Sequence, residues 1–223
     1  MITLYSYFRS SASWRVRTAL QLKGIPYTLV PVHLLKDGGE HLRPAYKARN
    51  PMATVPLLVV EEGGKTTRIG ESLAIIHYLE EKYPEPTLLP GTLEERARIR
   101  WIAELVNAGI HPVQNLGLLL ALEQEFGASP DVRKAWAARW IRRGFDALEA
   151  LLPETAGTYC VGEKVSLADV CLLPQVFNGR RFGVDLEPYP TIRRLAATLE
   201  AHPAFVAADP HHQPDTPAEE RRP

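Results

Sequence analysis

The sequence predicts an α/β domain followed by an all-helical one, on three observations. The first is the run ITLYSYFRSSASWRVRTALQLKGIPY, which reads as a buried strand, a polar turn and an amphipathic helix. The second is the pair Gly63-Gly64, set between two short apolar and β-branched runs so as to close a hairpin. The third is PEPTLLPGT, three prolines and a glycine within nine residues, after which every periodic stretch has a helical period. A β-α-β unit followed by β-β-α in about 80 residues is the layout of a thioredoxin-like domain.

In order, Ile2, Leu4, Tyr5 and Tyr7 suit the first strand, and Val16, Ala19, Leu20 and Leu22 give the helix its apolar face, which Lys23-Gly24 stops. Between them lie Arg9, Ser10 and Ser11. Hydroxyls and unpaired backbone N–H groups therefore gather where the helix dipole is positive, and such a turn can hold a thiolate or a carboxylate. The plain alternative for either serine is a helix N-cap. YTLVPVHLL suits a second strand, KDGGEHLRPAYKARNP a glycine turn and short helical patch ended by Asn50-Pro51, and VPLLVVEEGGKTTRIG the hairpin. ESLAIIHYLEEKYP carries Leu73, Ile76 and Leu79 at helical spacing and closes the domain at residue 83.

Residues 84–92 read as a linker, 93–208 as a helical domain and 209–223 as a mobile tail. From Leu93 to Phe126 a helical period persists, with Pro112 forcing a kink or break. VRKAWAARWIRRGFDALEALL is amphipathic, its Trp136, Trp140 and Phe145 on the apolar side. Ser166 followed three residues later by Asp169 is a capping-box pattern, which makes Asp169 structural. PYPTIRRLAATLEAH gives the last helix. His211 and His212 lie in the polar tail without a preformed geometry, so no metal site is expected.

Lys plus Arg equal Asp plus Glu at 26 each, so no net field favours nucleic acid or an anionic membrane. No run of about 18 apolar residues and no secretory leader is found, so neither a membrane span nor export is expected and the cytoplasm is the expected compartment. Cys160 and Cys171, the two cysteines, suit reduced, buried small hydrophobes.

The string SSASWRVRTAL followed by KGIPY resembles the zeta class of glutathione transferases, whose pattern here is Ser-Ser-Cys-x-Trp/His-Arg-Val-Arg. NPMATVP resembles the family's Asn-Pro-Met-x-x-Val-Pro, IGESLAII its γ-glutamyl site, and GIHPVQNLGLL and PQVFNGRRFGVDLEPYP two further zeta stretches. The resemblance spans the chain up to the tail. It implies glutathione as cofactor, Ser10 and Ser11 at the catalytic turn, and a cis Val55-Pro56 bond whose Val55 backbone pairs with the cysteinyl part. It also implies that Glu71 faces the γ-glutamyl ammonium and that the Ser72 hydroxyl and N–H take the carboxylate, in accord with its place at a helix N-terminus. Gln114 and Asn115 are implied glutathione contacts. His111 is implied on the substrate side and is spaced to share a helical face with them. Arg9 and Arg181 are the implied grips for a dicarboxylate, a task suited to guanidinium.

Two departures stand out. Ala12 takes the place of the motif cysteine, and Ala53-Thr54 occupy positions where long polar side chains are common in the family. Activation of the glutathione thiol is therefore assigned to Ser10. The resemblance implies a homodimeric maleylacetoacetate or maleylpyruvate isomerase. The alternatives are a zeta-like transferase or dehalogenase acting on small α-halo acids, and a non-catalytic transferase-like binding module.

Overall fold

A computed structural model describes residues 1–222. The chain forms two compact units, Met1–Thr87 together with the segment from His202 onward, and Leu88–Ala201.

The first unit is built on a four-stranded mixed sheet in the order β2-β1-β3-β4, with β1 at Ile2–Ser6, β2 at Thr28–Pro31, β3 at Leu57–Glu62 and β4 at Lys65–Gly70. β1 runs parallel to β2 and antiparallel to β3. The parallel pair requires a crossover, which α1 (Ser11–Leu22) supplies. In the hairpin Glu62 pairs with Lys65, so the turn is two residues long, and Gly63 and Gly64 both have positive φ, 55° and 75°. Only glycine takes two such positions in succession without steric cost. After β2, α2 (Pro44–Lys47) is the short helical patch, and α3 (Ser72–Lys82) follows the hairpin.

Two expectations are corrected in this unit. α1 is not half-solvated: Ser11 through Leu20 are all buried, because α3 and a C-terminal helix, Pro203–Ala208, pack against it. That helix therefore belongs to the first unit, not to the helical domain. Residues 209–222 are also not a loose tail. Gln213 and Thr216 are 5% and 3% exposed, Gln213 Nε2 donates to the carbonyls of Ala207 (3.0 Å) and Asp209 (2.8 Å), and Asp215 Oδ2 accepts from the Phe8 N–H at 2.8 Å. Several of its polar side chains thus satisfy backbone groups of the protein.

In the second unit α4 (Leu93–Glu104) begins with a capping box, Thr92 N–H donating to Glu95 Oε2 at 2.6 Å and Glu95 N–H to Thr92 Oγ1 at 3.3 Å. A π-helical turn, Leu105–Ile110, leads into α5 (His111–Gln114), and the helix breaks at Asn115 before α6 (Leu116–Phe126). Pro112 has no N–H to continue the ladder, so the expected kink takes the form of a widened turn and then a break. By length and composition alone Leu93–Phe126 would be long and apolar enough to cross a membrane, but it is not one apolar rod. It carries Glu94, Glu95, Arg96, Arg98 and Arg100 in its first turns and is interrupted at Asn115.

α7 (Pro130–Leu151), the buried α8 (Leu167–Arg181) and α9 (Pro190–Glu200) complete the unit. Phe145 is fully buried on α7, while the rings of the half-buried Trp136 and Trp140 meet at a tilt of 57°, their centres 5.9 Å apart. At the start of α8 the buried Asp169 carboxylate accepts from the N–H of Cys160 (2.8 Å), the N–H of Ser166 (2.9 Å) and the Ser166 hydroxyl (2.7 Å). It is structural, as the capping-box pattern predicts. Cys160 and Cys171 are buried free thiols, and burial pushes the Cys160 thiol up.

Candidate active site

The turn between β1 and α1 is closed by the Ser10 N–H donating to the Tyr7 carbonyl at 3.0 Å. Ser10 caps α1: its Oγ accepts from the Ser13 N–H at 3.2 Å, and its backbone is extended, φ −68° and ψ 115°. The cap and the catalytic readings are compatible. A serine hydroxyl has two acceptor sites and one donor, and capping uses an acceptor, so the O–H remains able to donate. The N–H groups of Ser11 and Ala12, in the first helical turn, have no intrahelical partner and add to the positive end of the dipole. Ser11 and Ala12 are 5% and 8% exposed. Arg9 is half-buried, its guanidinium 5.8 Å from the Phe8 ring centre.

Val55-Pro56 is a cis peptide bond. The preceding loop is organised by the buried Asn50, whose side chain donates to the Thr54 carbonyl (2.8 Å) and accepts from the Met52 N–H (3.2 Å). The Tyr46 hydroxyl also donates to the Thr54 carbonyl, at 2.7 Å. Thr54 is thus fixed from two sides immediately before Val55, whose N–H has no backbone partner among the described residues. That leaves the Val55 edge open for an added extended segment. Glu71 stands at the N-cap position of α3 without a capping side-chain bond, with φ 61°, an uncommon conformation for a residue with a Cβ, and it is exposed. Ser72 opens the helix, 3% exposed, and its Oγ accepts from Arg15 Nη1 at 3.2 Å.

In the second unit, the break at Asn115 corrects one geometric expectation. Gln114 is 3% exposed on α5, while Asn115 is extended and its Oδ1 caps α6 by accepting from the Leu118 N–H at 3.0 Å. His111, Gln114 and Asn115 therefore do not share one continuous helical face. His111 is half-buried at the start of α5. Arg181 ends α8, exposed, with its guanidinium 5.0 Å from the Phe182 ring centre, and the adjacent Arg180 pairs with Glu200. Among the described residues no group of three or more His, Cys, Asp or Glu side chains is placed to hold a metal.

Residues 4–87 match the family described as Glutathione S-transferase, N-terminal domain, and residues 118–203 match Glutathione S-transferase, C-terminal domain. The chain is 52% identical to the maleylacetoacetate isomerase of Rattus norvegicus over 98% of this chain and 96% of that one. Among solved structures, it is similar to the maleylacetoacetate isomerase of Anaeromyxobacter dehalogenans with glutathione bound in the active site, with TM-score 0.88, 47% identity and coverage of 97% and 98%. It is equally similar to a bacterial zeta-class maleyl pyruvate isomerase in its holo form, with TM-score 0.90, 45% identity and coverage of 96% and 100%. The chain belongs to the zeta class of the glutathione S-transferase family.

For a transferase of this family the donor set fits the tripeptide. Ser10 and Ser72 each have an acceptor site occupied by the protein and a donor free, and Val55 offers an open backbone edge. Sequence reasoning missed three supports of this set. Arg15 and Arg17 are both 0% exposed in a helix whose pattern reads as amphipathic, and the Asn50 of the NPMATVP string holds the Thr54 carbonyl. The two arginines belong to the Arg-Val-Arg string, whose spacing does not show burial. Arg17 donates to the carbonyls of Ala208 (3.0 Å), Phe8 (2.9 Å) and Tyr7 (3.3 Å) and to Ser6 Oγ (2.9 Å). Burial lowers its pKa to about 10, the charge effects of Tyr27, Asp215 and Asp209 opposing the shift, so it stays charged near neutrality.

Proposed function

We propose that this transferase is a glutathione-dependent cis–trans isomerase that converts maleylacetoacetate or maleylpyruvate to the fumaryl product. The observation that carries it is identity near 50% over almost the full length to proteins named for that activity. Bound glutathione supplies a thiolate that adds to the cis double bond, leaves a single bond free to rotate, and is expelled unchanged with formation of the trans double bond. In this reading Ser10 donates its O–H to the sulfur and favours the thiolate, while Ser72, Glu71 and the Val55 backbone hold the tripeptide. Gln114 and Asn115 are secondary candidates for glutathione contact, Ser11 for support of the turn, and His111 for the substrate. The substrate is a dianion and the chain is neutral, so recognition falls to local cations, for which Arg9 and Arg181 are the candidates.

The test is an absorbance assay with each maleyl substrate, with and without glutathione. Glutathione-dependent turnover of one of them supports the reading, while halide release from small α-halo acids without isomerisation replaces it by the dehalogenase alternative. We also propose a homodimer in the cytoplasm. Exposed apolar side chains such as Leu93 and Trp101 and the two reduced cysteines support it, and sedimentation as a monomer at micromolar concentration would count against the dimer.

A further inference from the structure

The C-terminal segment reaches the reactive turn through two contacts that glutathione binding does not account for. Phe8 is fixed at both of its backbone polar groups. Its N–H donates to Asp215 Oδ2 at 2.8 Å, and its carbonyl accepts from Arg17 Nη2 at 2.9 Å. The Tyr7 carbonyl, one residue earlier, accepts from both Arg17 Nη1 (3.3 Å) and the Ser10 N–H (3.0 Å). The same guanidinium holds the Ala208 carbonyl at 3.0 Å, at the end of the C-terminal helix. Arg17 and Asp215 thus clasp the four residues that end in Ser10 from opposite ends of the sequence. Asp215 is in turn placed by its neighbours: Gln213 binds back to Ala207 and Asp209, and Arg221 Nη2 donates to the Pro214 carbonyl at 2.9 Å.

We propose that Asp215 is a positioning residue for glutathione activation: by accepting from the Phe8 N–H it holds the Tyr7–Ser10 turn so that the Ser10 hydroxyl stays aimed at the thiol. The proposal rests on the assignment of thiol activation to Ser10. Hydrogen-bond strength falls steeply with misalignment, so a turn released at Phe8 need not unfold to lose the activating contact. Tripeptide affinity is far less affected, because the Thr54 carbonyl just before Val55 is held by Asn50 and Ser72 by Arg15, and neither bond belongs to this clasp.

The experiment compares Asp215→Ala, Asp215→Asn and Ser10→Ala in the full chain, with Glu80→Gln as a stability control. Glu80 pairs with the buried Lys23 at 2.7 Å and is not part of the clasp. The readouts are the pKa of the bound glutathione thiol, from the ultraviolet absorbance of the thiolate, the glutathione dissociation constant, the melting temperature, and kcat for the maleyl substrate. Asp215→Ala is expected to move the thiol pKa upward toward the Ser10→Ala value and to lower kcat about tenfold, with affinity within about threefold. Asp215→Asn, whose amide oxygen can accept from the same N–H, is expected to restore most of both. Glu80→Gln is expected to lower the melting temperature with the thiol pKa unchanged. A wild-type thiol pKa in Asp215→Ala overturns the proposal, as does an Asn variant as impaired as the Ala variant. A bound thiol indifferent to Ser10→Ala overturns it together with the assignment to Ser10. Loss of isomerase activity as the correct reading leaves the thiol measurement, which needs no substrate, to decide the proposal by itself.

Discussion

Arg15, fully buried in α1, donates through Nη1 to the hydroxyl of Ser72 at 3.2 Å and so links the first helix to the N-terminus of α3. A guanidinium can only donate, so Ser72 Oγ must use a lone pair toward it. The Ser72 O–H is left able to donate, and in the proposed reading it donates to the γ-glutamyl carboxylate at the helix N-terminus. The prediction is that Arg15→Met weakens glutathione binding by about tenfold, the loss of roughly one charge-assisted hydrogen bond acting through Ser72. Calorimetric titration of the two single variants and of Arg15→Met/Ser72→Ala checks it. The effects should be strongly non-additive, and additive losses would show that the two residues act separately.

Ser10→Ala is expected to lower turnover much more than glutathione affinity. In the proposed reading the hydroxyl favours the thiolate while other groups hold the tripeptide. Loss of the cap to Ser13 should also cost about 1 kcal/mol of stability, visible as a small fall in melting temperature. Ser11→Ala should be milder on turnover. Titration of the bound thiol gives the decisive reading, and identical curves for wild type and Ser10→Ala would remove Ser10 from the chemistry.

For the dianionic substrate, Arg9→Lys and Arg181→Lys are each expected to lower kcat/KM by about tenfold to a hundredfold, because an ammonium does not reproduce a planar two-point contact worth about 1.5–3 kcal/mol. The glutathione dissociation constant should hardly change. Steady-state kinetics beside a binding titration separate the two effects, and unchanged kcat/KM in both variants would exclude the arginines from substrate recognition.

Gly144 on α7 is the point where Ile110, the last residue of the π-helical turn, comes closest: a Cβ built on Gly144 would lie 2.2 Å from Ile110 Cδ1. Both residues are buried, so the contact cannot be relieved toward solvent. Gly144→Ala should therefore destabilise the protein by about 1–3 kcal/mol through overpacking. Gly144→Ala/Ile110→Ala should recover part of that loss, a pattern that denaturant unfolding of the set would show or refute.

By itself the sequence determined the elements and their order, because those depend on local rules. Period and turn residues located β1, α1 and the Gly63-Gly64 hairpin, the Ser166/Asp169 pattern marked the start of α8, and Pro112 announced an interruption. The motifs placed Ser10, Val55, Glu71 and Ser72 on one domain. What only the tertiary structure decided depends on where a polar group finds its partner. Arg15 and Arg17 read as solvent-facing charges on an amphipathic helix, yet both are buried, since their acceptors come from α3, the reactive turn and the C-terminal helix. Residues from 209 onward read as a polar tail, yet Gln213 and Asp215 are bound to backbone groups, one of them 207 positions away. A proline shows that a helix will be disturbed but not whether the ladder widens or breaks. Packing decided that: Ile110 sits against Gly144, and the Asn115 side chain is spent on capping α6.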